Sequence, residues 1–266
     1  MPERIRSLLV ANRGEIAIRV MRAATELGIR TVAIYSQEDR FSLHRMKADE
    51  SYLVGAGRTP VDAYLDIADI VRIAQAAQVD AIHPGYGFLS ENPAFAEACA
   101  EAGLIFVGPT PQIMRRLGNK VSARELAVSA GVPVMPATPP LPRDDAESAR
   151  LAAAVGYPVM LKASWGGGGR GMRVVASESE LAEKVAAARR EAKAAFGNDE
   201  VYLEKLVVHA RHIEVQLLGD AQGNLVHLFE RDCTVQSRSN RWTRLPCASP
   251  SSCTSMCRAR TTSFSR

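Results

Sequence analysis

Short β-branched, apolar runs alternate with helix-period stretches through the first 107 residues, and this alternation constrains the fold more than any other feature. Residues 5–10, Ile-Arg-Ser-Leu-Leu-Val, read as a strand broken by Asn12-Arg13-Gly14. A helix is predicted from Glu15 to about Leu27, with Ile16, Val20, Ala24 and Leu27 on one face and Gly28 past its end. Thr31–Tyr35 reads as a second strand, Tyr64–Gln78 as helix and Val79–His83 as a third strand. Pro93–Ala102 has Pro at its start and Gly103 after its end, the usual asymmetry of a helix, and Leu104–Val107 is a fourth strand. The pattern predicts an α/β fold whose parallel sheet is covered on both faces. Ligands of such sheets gather at the carboxyl ends of the strands. Asn12-Arg13-Gly14-Glu15 and His83-Pro84-Gly85-Tyr86-Gly87 both fall at such ends.

The turn-forming string Gly108-Pro109-Thr110-Pro111 closes this first unit. A helix with Lys120 at its middle is predicted next, then loops around Gly131 and Pro139–Arg143. A smaller α/β unit runs from Ala146 to about Leu206, with helices near 146–155 and over Glu178–Ala195 and a strand over Glu200–Lys205. His212–Leu218 and Leu225–Glu230 then alternate as two antiparallel strands with one face buried.

Within the smaller unit, Gly166–Gly171 reads Gly-Gly-Gly-Gly-Arg-Gly between two strand-like stretches, 157–164 and 172–175. The string formally satisfies GxGxxG, but that motif needs a helix after the glycines, and β-branched residues follow here. It also lacks the Lys-Ser or Lys-Thr of a Walker A loop. A glycine hairpin tip remains, with Lys162 before it and Arg170 within it. Such a tip can lie over polyphosphate, because amides without a neighbouring Cβ approach the oxygens closely. The alternative is a surface hairpin without a ligand.

Apolar content of 47% and charged content of 23% are those of a soluble globular protein of one large or two ordinary domains. No run of about 18 apolar residues argues for a membrane span, and the start of the chain lacks a signal-peptide core, so a cytoplasmic protein is expected. The isoelectric point near 8.9 is misleading. Residues 237–266 carry six Arg and no Lys or acid; the whole chain is +4, which leaves −2 for residues 1–236. The folded part therefore offers no electrostatic case for a nucleic-acid partner. Cys247, Cys253 and Cys257 cluster in the same tail without a nearby His, a poor zinc pattern, while Cys99 and Cys233 in the body fit a reducing compartment. With eight Ser and few aliphatic residues, the segment after Gln236 is expected to be disordered.

Four strings together resemble the biotin carboxylases, a family of ATP-grasp enzymes. They are Ala11-Asn-Arg-Gly-Glu-Ile-Ala17, His83-Pro-Gly-Tyr-Gly-Phe-Leu-Ser-Glu-Asn92, Lys162-Ala-Ser-Trp-Gly-Gly-Gly-Gly-Arg-Gly-Met172 and Glu230-Arg-Asp-Cys233. Trp165 and the wording of residues 29–40 and 199–236 are more similar to the biotin carboxylase domain of pyruvate carboxylases than to that of acetyl-CoA carboxylases. The resemblance runs over about residues 4–236. It implies a Rossmann-like N-terminal domain (1–117), an incomplete ATP-grasp domain (118–236, with a lid at about 138–206) and a non-family tail (237–266).

The implied reaction is ATP-dependent carboxylation of biotin, with bicarbonate activated as carboxyphosphate and the carboxyl unit passed to biotin on a carrier domain. ATP and Mg2+ (or Mn2+) are the implied cofactors, and full-length family members oligomerise. Residue by residue, the resemblance places Lys120 and Lys162 on the ATP phosphates, Gly168 and Gly169 in the lid over the triphosphate, and Met172 beside adenine. It places Glu204, Lys205 and Val207 at the hinge that reads adenine, and His212 and Gln236 on ribose and phosphate. His83, Tyr86 and Glu91 match a loop near the active site. The departure comes after Gln236: Ser239 and Arg241 stand where the family has a nucleotide contact and a bicarbonate-side lysine. The family's metal-binding glutamates and catalytic glutamate-arginine group find no match. The expectation is therefore a family ligase whose chain as written does not turn over, and a misjoined reading frame would account for the abrupt change.

Overall fold

The computed structural model describes residues 5–166, 172–210, 213–220 and 223–232. The chain divides into two compact units, Met1–Arg115 and Arg116–Arg266.

The first unit runs β1 (Ser7–Val10), α1 (Gly14–Glu26), β2 (Arg30–Tyr35), α2 (Leu43–Lys47), β3 (Glu50–Leu53), α3 (Pro60–Ala63), α4 (Ile67–Ala76), β4 (Ala81–His83), α5 (Pro93–Glu101) and β5 (Ile105–Phe106). Its five strands are all parallel, in the order β3-β2-β1-β4-β5. Side chains of a strand point alternately to opposite faces, and the core follows that period of two. Leu9, Val32, Ile34 and Ile82 pack on one side with Tyr64, Ile70, Ile73, Phe95 and Cys99. Leu8, Val10, Ala33 and Ala81 pack on the other with Ala17, Met21 and Ala24 of α1. Each fully buried Leu or Ile contributes about 1.5–3 kcal/mol, so both layers hold the sheet. The two-sided α/β architecture read from the alternation is present.

Local signals set most element ends. Asn92 caps α5 by accepting from the amides of Ala94 and Phe95, with Pro93 at the first helical position. Two expectations need correction. The buried stripe of α1 is Ala17, Met21 and Ala24, while Leu27 ends up exposed beyond the helix. Small Ala side chains let the helix approach the sheet, and the larger Ile18 and Val20 flank the contact. The helix expected to start at Tyr64 starts at Ile67 instead, because the Asp66 side chain accepts from the Asp69 amide and fixes the boundary there. Tyr64 itself is a fully buried core residue.

Helix α6 (Pro111–Gly118) leads to the second unit, which runs α7 (Lys120–Ser129), α8 (Asp145–Val155), β6 (Val159–Ala163), β7 (Arg173–Val175), α9 (Leu181–Phe196), β8 (Val201–Lys205), β9 (Ile213–Gly219) and β10 (Leu225–Asp232). Strands β7, β6 and β8 form an antiparallel sheet in that order, so the two stretches around the glycines do pair as a hairpin. Its core face joins Val159, Leu161, Val175, Val201 and Leu203 to Ala152 of α8 and to Leu181, Val185 and Ala188 of α9.

Lys120 is not in mid-helix. It is the first residue of α7, because Asn119 breaks away from α6 and caps α7 through the amides of Val121 and Ser122. The expectation of one buried face for β9 and β10 also fails. Leu218, Leu225, Val226, Leu228 and Phe229 are exposed, and the ladder shifts register between His227 and Glu230. Phe229 takes a left-handed φ of 57° at that irregularity, which breaks the alternation that a one-sided sheet requires. The glycine tip with Gly168 and Gly169, His212, Gln236 and the tail with Ser239 and Arg241 lie outside the described residues.

Candidate functional site

Strand β6 presents Leu161 to the core and Lys162 to the opposite face. On β8, Leu203 points to the same core and Glu204 away from it. Met160 is the direct partner of Glu204 and Lys162 that of Tyr202, so Lys162 and Glu204 are diagonal neighbours on one face. They form an ion pair with side chains only 18% and 21% exposed. A largely shielded ammonium thus meets a largely shielded carboxylate where β6 runs toward the glycines.

Lys120 reaches the same place from α7. Its amide donates to the Ser164 carbonyl at 2.9 Å, and its Nζ donates to the carbonyls of Ala163 (3.3 Å) and Gly166. The end of α7 cannot itself cradle an anion. The amide of Lys120 is spent on Ser164, those of Val121 and Ser122 on Asn119 Oδ1, and that of Ala123 on the Asn119 carbonyl. What this end turns toward the glycine loop is the Lys120 side chain, already donating to the Ala163 and Gly166 carbonyls. Gly166 opens the loop with φ at 76° and lies against the Phe196 ring, so a side chain there would be strained and would have to displace the ring.

The remaining carried-over positions separate by role. Lys205 spends its amide on the Pro136 carbonyl at 2.9 Å, and its Nζ donates to the carbonyls of Gly156 (2.7 Å) and Tyr157 (3.2 Å). Its side chain is a staple under the turn before β6. Val207 is exposed just past β8, and Met172 is half-buried just before β7. Lys162 and Glu204 come together, and Lys120 reaches the adjoining end of β6; Lys205 is turned to the Gly156–Tyr157 turn instead.

In the first unit, the two strings flagged at strand ends meet where the strand order reverses, between β1 and β4. The Ala11 amide donates to the His83 carbonyl at 2.9 Å. Asn12 is fully buried and its Nδ2 donates to the carbonyls of Pro84 (2.7 Å) and Tyr86 (3.0 Å). Gly85, with φ at 67°, lies so close that a Cβ would stand 2.6 Å from Asn12 Nδ2. The Tyr86 hydroxyl donates to Glu15 at 2.5 Å. Burial and that carboxylate push the Tyr86 phenol up to about 12. His83 accepts from the Gly85 amide through Nδ1, and burial lowers its pKa, which keeps the ring neutral. Glu91 is exposed in the turn before α5.

One cluster had no signal in the sequence beyond Arg13 itself. Arg13 grips Asp39 with two bonds of 2.6 Å, and Asp39 also accepts from the hydroxyls of Tyr64 (2.7 Å) and Ser42 (2.8 Å). These donors, Arg13 first, hold the Asp39 carboxyl well below its usual range despite burial. Asp39 sits in a turn with no periodicity, so only the fold reveals it. Among the described residues no group of three His, Cys, Asp or Glu side chains could hold a metal ion.

Residues 4–114 match the model of the biotin carboxylase N-terminal domain, and residues 119–253 that of the ATP-binding domain of the carbamoyl-phosphate synthase L chain. The second match runs past Gln236. The chain belongs to the biotin carboxylase family of ATP-grasp ligases. It is 60% identical to pyruvate carboxylase of Bacillus subtilis (strain 168) over 89% of this chain and 21% of that protein. Among solved structures it is similar to a Rhizobium etli pyruvate carboxylase variant with acetyl coenzyme A (TM-score 0.80, 63% identity, 88% of this chain and 21% of that one). It is also similar to the biotin carboxylase domain dimer of Hydrogenobacter thermophilus 2-oxoglutarate carboxylase, solved with MgADP, ADP and bicarbonate (TM-score 0.82, 46% identity, 88% of this chain and 51% of that one). The chain spans about a fifth of the length of the curated relatives it matches. Among the described residues, no helix is long and apolar enough to cross a membrane.

Proposed function

We propose that this chain forms the nucleotide-holding part of an ATP-dependent biotin carboxylation, the step that serves a pyruvate carboxylase, with bicarbonate and a biotin carboxyl carrier domain as its partners. The observation that carries the reading is that two lysines stand at the end of β6: Lys120 donates from α7 to the Ala163 and Gly166 carbonyls that open the glycine loop, and Lys162, paired with Glu204, comes from the strand itself. A shielded ammonium at a strand end, with a second lysine from a helix start, fits a triphosphate. Two positive charges in a partly dry site offset phosphate charge far better than they would in water.

When bound, ATP supplies the phosphoryl group that activates bicarbonate. The chain's own residues then do three things. Lys120 and Lys162 hold the phosphates, joined by Gly168 and Gly169 over the triphosphate and by His212 and Gln236 on ribose and phosphate. Glu204, the main chain of Lys205 and Val207 read adenine, with Met172 beside the base. His83, Tyr86 and Glu91 are carried over from the family likeness as active-site loop residues, and Asn12 and Glu15 hold the Pro84–Tyr86 part of that loop. The family also uses a divalent cation, Mg2+ or Mn2+. The described residues do not supply a fitting set of ligands for it.

The departures at Ser239 and Arg241 favour a second element of the reading: the chain by itself holds nucleotide and does not turn it over. Calorimetry with ATP tests the first element. Lys162→Met should weaken binding by about tenfold or more, and equal affinity for both proteins would end the assignment. Bicarbonate-dependent ATPase with free biotin tests the second. A rate above that of Lys162→Ala would show that the chain is a working enzyme.

A further inference from the structure

Lys120 is held at the end of β6 by a closed circuit of hydrogen bonds, and one member of that circuit, Glu200, has no role carried over from the family. Asn119 is buried, and its Oδ1 accepts from the amides of Val121 (2.8 Å) and Ser122 (3.1 Å) at the start of α7. Its Nδ2 donates to Glu200 Oε1 at 3.1 Å. Glu200 stands directly before β8, and its carbonyl accepts from the Ser164 amide at 3.0 Å. The Ser164 carbonyl in turn accepts from the Lys120 amide at 2.9 Å, and Lys120 follows Asn119 in the chain. Four residues thus tie α7, the end of β6 and the entry to β8 to one another.

The chemistry of the Asn119 side chain makes Glu200 the deciding member. A carboxamide has one accepting end and one donating end. Flipped, Asn119 would set its NH2 against two amide donors and its oxygen against a carboxylate, and all three bonds would be lost. An ionised carboxylate only accepts, so it admits one orientation of Asn119, and that orientation is the one that caps α7. Glu200 is half-buried, where a bond to a carboxylate is stronger than a neutral one. Its backbone is anchored as well, because its amide donates to Asn198 Oδ1 at 2.8 Å.

We infer, on the nucleotide reading of Lys120 given above, that Glu200 is a positioning residue for the phosphate-binding ammonium. It acts through Asn119: the carboxylate fixes the cap, the cap fixes the first residue of α7, and that residue is Lys120. An ammonium on a four-carbon stem follows a small shift of its helix in part, so losing Glu200 removes some of the Lys120 contribution and not all of it.

The test is calorimetric titration of the full chain with ATP, for the unaltered protein, Lys120→Met, Glu200→Leu and the combination. In the unaltered protein Lys120→Met should weaken ATP binding about tenfold. In Glu200→Leu, which keeps bulk but accepts nothing, the same change should weaken it by about threefold or less, because the ammonium is already misplaced. A swap gives the second measurement where Glu200→Leu fails to melt cooperatively. Asn119→Asp sets two carboxylates against each other and should weaken ATP binding by about threefold or more; adding Glu200→Gln, whose NH2 can donate to the new carboxylate, should restore it to within about twofold. A merely structural role would leave the Lys120 factor near tenfold in Glu200→Leu. That result, an Asn119→Asp protein with full affinity, or a swap that restores nothing would overturn the role of Glu200 and leave Lys120 on the nucleotide. Undiminished ATP affinity in Lys120→Met would instead remove the nucleotide role of Lys120, and the positioning with it.

Discussion

Phe196, the last residue of α9, lies under Gly166 so closely that a Cβ on the glycine would stand 2.2 Å from the ring's Cε1. The same glycine has φ at 76° and gives its carbonyl to Lys120. The start of the glycine loop is therefore pinned by a ring on one side and an ammonium on the other. Gly166→Ala should cost about 2–4 kcal/mol, from the left-handed backbone and the overpacked ring together. Chemical denaturation would show this as a lower midpoint. Adding Phe196→Ala should return part of the loss, and strict additivity of the two changes would refute the contact.

Asn12 should behave as a brace for the His83–Gly87 turn. Asn12→Ala leaves the carbonyls of Pro84 and Tyr86 without their buried donor, a loss of about 1–3 kcal/mol. The more specific readout is the phenol of Tyr86. Spectrophotometric titration should find it near 12 in the unaltered protein and closer to its ordinary value of 10 once the turn is released from Glu15. An unmoved titration in Asn12→Ala would count against the brace.

Stability should fall with acid in two stages. His44 is buried with Nε2 against the Ile34 carbonyl, and burial holds its pKa below 6.5; His83 is lowered for the same reason. The unfolded chain binds those protons first, so their contribution is complete above about pH 6.5 and is lost as pH falls from there toward the folded values. Asp39 acts lower. Its folded pKa lies below 3.8, so its contribution is present above that value and disappears as pH drops through the folded one. Thermal melts from about pH 8 to about pH 2 should resolve the stages. His44→Gln should shrink the first, and Asp39→Asn should shrink the second, which Asp69 and Asp80, also lowered, share. A melt curve that stays flat below pH 6.5 would contradict the His44 and His83 assignment.

Lys205 offers a control on the site. Its amine is committed to the carbonyls of Gly156 and Tyr157, away from the Lys162–Glu204 face. Lys205→Met should lower stability by about 1–2 kcal/mol and leave ATP affinity within about twofold of the original. A loss of affinity as large as that of Lys162→Met would place the amine on the nucleotide instead.

The strands that carry the first sheet were legible because parallel, doubly covered strands are written as continuous apolar runs, as at Leu8–Val10 and Val32–Ile34. Strand β3 was not: Glu50-Ser-Tyr-Leu is half-exposed at the sheet edge and carries no such run. The phase of α1 was misread because Ile16 and Leu27 outrank Ala17 in hydrophobicity, whereas the packing selects Ala17, Met21 and Ala24 for their fit against the sheet. Lys120 was set in mid-helix because Gly118 and Asn119 are tolerable helix residues, and only the cap made by the Asn119 side chain reveals the break. At the candidate site, motif wording supplied Lys120, Lys162 and Glu204 one at a time. That two of them hold each other depends on the register of β6 and β8, which pairs Met160 with Glu204 and which no single strand encodes.

Strand β1 lies beside β4, so Asn12 depends for its bonds on a residue 72 positions further along the chain. During synthesis, the first motif must therefore wait, with its amide group and the adjoining hydrophobic strand exposed, until helices α1 to α4 and strands β2, β3 and β4 have left the ribosome. Late closure of such distant pairings makes folding slow and leaves the nascent chain open to chaperone capture. Shortening the connection between β2 and β4 would speed assembly only if it preserved this crossing back over the first strand.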